Sequence, residues 1–137
     1  MIPGYPGLAT MAGRGLDQFE TIVGLISQLA RDQAMSIQVD LQAAPHGADD
    51  PLLIQFLVGG DDRSSLLWHE DGVGFAAVDP YLPQRPYGIE FTRGREIECA
   101  PPGETQVRQA TVGDALAVYL LTGERTKWLG WREIPAD

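Results

Sequence analysis

Residues Leu52–Val78, LLIQFLVGGDDRSSLLWHEDGVGFAAV, decide how this chain folds. Three apolar runs stand in them, Leu52 to Val58, Ser65 to Trp68 and Val73 to Val78, parted by Gly59-Gly60-Asp61-Asp62 and by Asp71-Gly72. Each run is too short for an independent helix and rich in β-branched or aromatic residues, which makes strands of them. Asp-Gly between two such runs is a strong hairpin signal, because a two-residue primed turn needs positive φ at both central positions and these residues tolerate it. The stretch reads as a β-meander of adjacent antiparallel strands.

Upstream, Leu16, Phe19, Ile22, Val23, Ile26, Leu29 and Ala30 recur at three- and four-residue spacing, the pattern of an amphipathic helix with Asp17 and Glu20 at its positive end. Ile37, Val39 and Leu41 alternate with Gln38, Asp40 and Gln42, a strand with one buried and one wet face. Ala43–Pro51 reads as a loop, and Met1–Arg14, rich in Pro and Gly without a period, as a flexible leader to a single domain over 15–137.

Downstream, Asp79–Gly88 carries three prolines and reads as a stiffened loop whose tyrosines meet solvent or a partner. Ile89–Thr92 and Glu96–Cys99 flank Arg93-Gly94-Arg95 as a second hairpin. Thr111 and Asp114 resemble a capping box opening a helix through Val112, Ala115, Leu116, Tyr119 and Leu120, with Gly123 as its stop. Lys127–Ile134 is a last strand returning to the sheet, with Gly130 as a candidate bulge and Trp128 and Trp131 on opposite faces. The expected fold class is α+β, a single mostly antiparallel sheet of about six strands with an N-terminal and a C-terminal helix packed on one face.

Composition narrows the function. Ten Lys plus Arg against nineteen Asp plus Glu gives a net charge of −9, which disfavours nucleic acid or anionic lipid as a direct ligand and allows a basic partner or plain solubility. One cysteine, Cys99, cannot pair within the chain, which suits a reducing, cytoplasmic compartment; it reads as a buried structural thiol. No apolar run approaches the ~18 residues of a membrane span, and the first residues lack the pattern of a secretory signal.

The chain shows little catalytic chemistry. His69-Glu70-Asp71, with Ser64 and Ser65 nearby, gathers titratable groups, but residues along a strand alternate in face, so the cluster reads as a solvated turn. His46 and His69 are the only histidines and have no metal-ligand spacing. Gly59-Gly60-Asp61-Asp62 lacks the Lys-Ser/Thr of a phosphate loop. No catalytic residue, metal or cofactor is assigned. Trp68 reads as core, with a binding tip as the alternative.

Taken in order, an amphipathic helix, PLLIQFLVGGDDRSSLLWHEDGVG, ECAPPGE, a helix and TGERTKWLGWREI resemble the first-numbered family of immunity proteins from bacterial polymorphic toxin systems, over Phe19 to Ile134. The resemblance implies a non-enzymatic antidote that binds a secreted toxin, often of the deaminase superfamily, until its export. The family's acidic position before the Pro-Pro turn matches Glu98 and its terminal tryptophan matches Trp131; Asp79–Gly88 has no counterpart in it. On this reading Asp61, Asp62, Glu70 and Asp71 at the hairpin tips, with Trp68 and Tyr81 as aromatic anchors, face the basic groove of the toxin. The toxin itself is a poorer reading, since a zinc deaminase needs a cysteine pair and this chain has a single one. An adaptor for another protein and a small hydrolase are the alternatives.

Overall fold

A computed structural model describes residues 16–43 and 52–135. The expected leader, Met1–Arg14, and all of the Ala43–Pro51 loop after its first residue, His46 included, lie outside the described residues. The order is α1 (Leu16–Gln33), β1 (Ser36–Ala43), β2 (Leu52–Val58), β3 (Arg63–Ser64), β4 (Leu66–Glu70), β5 (Val73–Val78), β6 (Ile89–Arg93), β7 (Glu96–Ala100), a turn of 3-10 helix (Pro102–Glu104), β8 (Val107–Arg108), α2 (Gln109–Thr122) and β9 (Gly130–Ile134).

Seven strands make one sheet in the order β7-β6-β1-β2-β4-β5-β9, and β3 pairs with β8 as a separate two-stranded ribbon. Every neighbouring pair in the large sheet is antiparallel except β1 with β6, which run parallel over Ser36↔Phe91 and Ile37↔Thr92. The α+β class stands. The sheet is larger than expected, and α2 is followed by β9, so it is not terminal.

The meander forms as its turn chemistry demands. Asp71 and Gly72 both take positive φ, 53° and 78°, between Glu70 and Val73, which pair across the turn. Gly59 and Gly60 also have positive φ, and their turn tucks under the end of α1: a Cβ on Gly59 would lie 2.3 Å from the Ala30 Cβ. Ser36 Oγ donates to the Gly59 carbonyl at 2.5 Å and seals the contact.

Phe19, Ile26 and Ala30 of α1 and Val112, Ala115 and Leu116 of α2 pack with Ile37, Val39, Ile54, Phe56, Leu66 and Trp68 into the main core. Leu29, expected among these, is 42% exposed, because the helix turns that side away from the strands it covers. The capping box is not formed. α2 begins at Gln109, with Arg108 at the cap and no side-chain cap, and the Gln109 N–H instead donates to the Asp62 carbonyl at 3.0 Å. Gly123 ends the helix as expected, at φ 76°, with its N–H on the Tyr119 carbonyl.

The opposite face of β1 is not wet. Gln38 and Asp40 are buried, so β1 is covered on both sides from Ser36 to Leu41. Asp40 Oδ1 accepts from Gln38 Nε2 at 2.9 Å and Gln55 Nε2 at 3.1 Å, and Gln55 Oε1 faces His69 Nε2 at 2.9 Å. Since that oxygen accepts, His69 donates from Nε2. Toward β7 the same face closes over a second cluster, Leu57, Ile89, Phe91 and Ala100. The 3-10 turn reaches this face at its far side, where Arg132 Nη2 donates to the Gly103 carbonyl at 2.8 Å.

Cys99 is exposed, a correction to the buried thiol expected, because β7 is an edge strand beyond the helices' reach. Gly130 is no bulge; it starts β9 in register with Val78. Trp128 lies before that strand, so alternation does not govern it, and it is half exposed while Trp131 packs against the core.

Two outcomes follow from this packing. Gly59→Ala forces both a left-handed alanine and a clash with Ala30, and denaturant melts should show a loss of about 2–4 kcal/mol. Burial lowers the His69 pKa below its ordinary 6.5, against the opposing pull of Asp40 and Glu104. The unfolded chain therefore binds more protons at this site just below 6.5, so stability falls as pH drops through that value and flattens beneath the folded pKa. His69→Gln should remove this part of the slope in melts run from pH 7.5 to 5.

Candidate partner-binding surface

The Asp79–Gly88 segment is fixed at several points. Asp79 N–H donates to the Gln106 carbonyl at 2.9 Å, Asp79 Oδ1 accepts the Tyr81 N–H at 2.9 Å, and Leu82 N–H returns to the Asp79 carbonyl at 3.1 Å. These bonds make a tight turn whose apolar foot, Leu82, is buried. The second half is held by Arg85, which forks onto Asp61 with both contacts at 3.0 Å and lies 4.7 Å over the Tyr87 ring.

The Asp61 end of that fork is itself clamped. Arg63 N–H donates to Asp61 Oδ1 at 2.9 Å, and the Gln109 side chain accepts from Gly59 N–H at 3.0 Å and donates to the carbonyls of Gly59 and Asp61. Burial alone pushes the Asp61 carboxyl up, but Arg85 and the backbone N–H groups of Arg63 and Asp62 outweigh it and hold the carboxyl below its usual range. Its contribution to stability is therefore complete above about 3.8 and is lost only as pH falls through the lower folded value.

What this anchoring displays is aromatic. Tyr81 is 94% exposed and Tyr87 59%, among exposed Pro80, Pro83 and Pro86. Rigid tyrosines on a stiff loop lose little entropy on contact and bring a large amphipathic area, the chemistry of a paratope. Asp62 is exposed beside them.

The residues expected to meet a partner do not share one surface. Asp61, Asp62 and Tyr81 lie at the end of the sheet where β2 stops and β4 begins; Glu70 and Asp71 lie at the other end of β4, whose five residues span roughly 17 Å. Asp61 is engaged by Arg85. Trp68 is 5% exposed, because its strand position points it at α2, where its ring meets Tyr119 edge-on at 5.3 Å. Glu98 is on β7, the far edge strand, three strands over from β2.

Around Glu70 a second feature opens, a cleft of about 540 Å³ lined by Trp68, Glu70, Glu124, Arg125, Lys127 and Trp131 among others. Arg125 lies 4.7 Å over Phe75 and 4.9 Å over Trp131, whose Nε1 donates to the Thr126 carbonyl at 2.9 Å. Burial, with the Glu70 charge added, raises the Tyr119 phenol pKa and keeps the ring neutral. The cleft brings together Trp68, Glu70 and Trp131, but with two acids and two bases it has no dominant sign.

Hydrolytic geometry is not assembled at the hairpin. Ser64 Oγ is tied to the N–H and carbonyl of Leu57 at 3.0 and 2.9 Å, and His69 points to Gln55 on the face opposite Trp68. Among the described residues no group of three His, Cys, Asp or Glu is arranged to hold a metal, and no helix is long and apolar enough to cross a membrane.

Arg85 and Gln109 hold this surface without a local sequence signal, since their partners lie 24 to 50 positions away. Arg85→Ala should cost roughly 1 kcal/mol in a melt and speed amide exchange over 79–88, while Tyr81→Ala should leave both unchanged. Comparison with known proteins adds no neighbour: no family model, no curated protein and no solved structure matches this chain.

Proposed function

We propose that this chain is an immunity protein, an antidote that binds and blocks a cognate secreted toxin of the polymorphic class, one acting on nucleic acid in the manner of a deaminase, and so protects the cell that makes it. The observation that carries the reading is the tyrosine platform: a proline-stiffened loop, pinned by Asp61, Arg85, Asp79 and Leu82, presenting Tyr81 and Tyr87 to solvent. A segment held this firmly with its largest side chains outward serves contact with another surface better than it serves the core.

Charge supports the same partner. A toxin that handles DNA or RNA carries a basic groove, and a domain of net charge −9 is drawn to it quickly and competes with the polyanion. The resemblance in segment order, with Glu98 and Trp131 at the matching positions, names the toxin class. In this role the chain works in the cytoplasm, holds no cofactor and performs no reaction of its own.

The test is rescue. The chain should restore growth to cells expressing the toxic C-terminal domain of the large secreted protein encoded beside it, and calorimetry on the purified pair should give tight binding. Tyr81→Ala and Tyr87→Ala together should weaken that binding by about 10- to 100-fold without lowering the melting temperature. A harmless neighbouring gene product, or a purified chain that turns over a substrate unaided, would count against the proposal. Binding without toxicity would favour the adaptor reading.

A further inference from the structure

The outer edge of β7 is open. The two-residue turn Gly94-Arg95, with Gly94 at φ 63°, makes Arg93 and Glu96 the closing hydrogen-bonded pair of the β6–β7 hairpin. Bonded and non-bonded pairs alternate along an antiparallel ladder, so Phe91↔Glu98 and Ile89↔Ala100 are bonded as well. Ile97 and Cys99 therefore aim their N–H and C=O groups away from β6, and no described strand lies beyond them.

Of the usual guards of an edge, β7 has only the charges of Glu96 and Glu98. β7 contains no proline and no lysine, keeps five consecutive pairs without a bulge, and is exposed from Glu96 to Cys99. Ile97 is 63% exposed. Gln33 Nε2 of α1 bonds Thr92 Oγ1 at 2.9 Å, Thr92 being the cross-strand partner of Ile97, and exposed Leu25 and Leu29 precede Gln33 at four-residue spacing.

The charges choose the occupant. Arg93 and Glu96 offset each other at the hairpin tip, where exposed Arg95 adds one positive charge to the turn; Glu90 and Glu98 lie farther along the pair. A second copy of β7 would set glutamates against glutamates, and like charges opposite one another destabilise a sheet. A strand bearing Lys or Arg opposite Glu98 and an apolar residue opposite Ile97 meets both sides of the edge.

We propose that the outer edge of β7 docks an extended basic segment of the toxin, added antiparallel or parallel as an eighth strand. The identity of the partner rests on the function proposed above; the edge chemistry does not. Backbone bonds at Ile97 and Cys99 supply the attachment, Ile97 the apolar contact, and Glu90 and Glu98 the preference for a basic strand.

Cys99, the sole cysteine of the chain, reports directly on this edge. Its alkylation by iodoacetamide, followed by intact mass, should be fast in the isolated protein and slow by about tenfold or more with an alternating lysine-valine octapeptide or the toxin domain, and should not change with a glutamate-valine peptide. Ile97→Pro, which removes an outward N–H, and Glu98→Lys, a fully surface change that keeps the fold, should each relieve the protection.

Slow alkylation in the isolated chain, equal protection by both peptides, or none by either overturns the proposal. If the toxin binds Glu98→Lys with unchanged affinity and leaves Cys99 reactive, the edge proposal falls and the antidote reading stands. If the lysine-valine peptide protects Cys99 while the chain neither binds nor neutralises the toxin, the antidote reading falls and the basic-strand edge stands.

Discussion

Two helices cannot cover seven strands. Strands spaced ~4.8 Å apart give a sheet roughly 29 Å across, while two helices side by side reach about 20 Å. α1 and α2 take the middle of one face, over β1, β2 and β4, and the rest of the molecule answers the shortfall. On the β9 side the segment after α2 closes the gap with Arg125 stacked on Phe75 and Trp131. On the other side, among the described residues, the helix face of β6 and β7 has only the Gln33–Thr92 hydrogen bond to α1, while their opposite face packs through Ile89, Phe91 and Ala100, and two register pairs join β6 to β1. The exposed Ile97 and Cys99 are consequences of width, not of a failed pattern.

The strip of Gln38, Asp40, Gln55 and His69 shows how the opposite face is specified. A buried carboxylate without a cation is costly, and here amide donors from Gln38 and Gln55 meet it. A slip of one residue in β1 would turn Asp40 into the apolar core against Phe56 and Ile54 and strand Ile37 and Val39 among the amides. Such a polar row adds little net stability, but it sets a steep penalty on the wrong register. The second face thus contributes uniqueness while the first contributes most of the apolar burial.

How far the sequence revealed this depended on the distance between cause and effect. The Asp71-Gly72 turn, the Gly94 hairpin, α1 from Leu16 and the Gly123 stop rest on signals within a few residues, and each is where its chemistry puts it. Alternation in β1 assigned Gln38 and Asp40 to the right face but could not say that the face is covered. Thr111 and Asp114 looked like a cap because the true start of α2 is satisfied from outside, by the Asp62 carbonyl. At the candidate surface, the prolines made the exposure of Tyr81 legible, whereas Arg85 carried no mark of its fork with Asp61. The acids of the hairpin tips were visible as a dense run; that β4 holds them apart at opposite ends was a property of the fold alone.

That separation bears on how an acidic chain finds its partner. Asp61–Arg85 is the one ion pair among the described residues, and no internal pairing could cancel the net charge of −9. Screening limits each exposed acid to about 8 Å at physiological salt, less than the roughly 17 Å between the two ends of β4. No single cluster therefore grips a basic partner. The charges act together in the approach, raising the encounter rate, and their effect weakens with salt. Once surfaces touch, residence time is set by desolvated contact, which an aromatic platform or an open strand edge supplies and a solvated carboxylate does not. On this division of labour, removing one exposed acid alters the rate of association slightly, and the lifetime of a complex is decided where Tyr81, Tyr87 and Ile97 stand out from the surface.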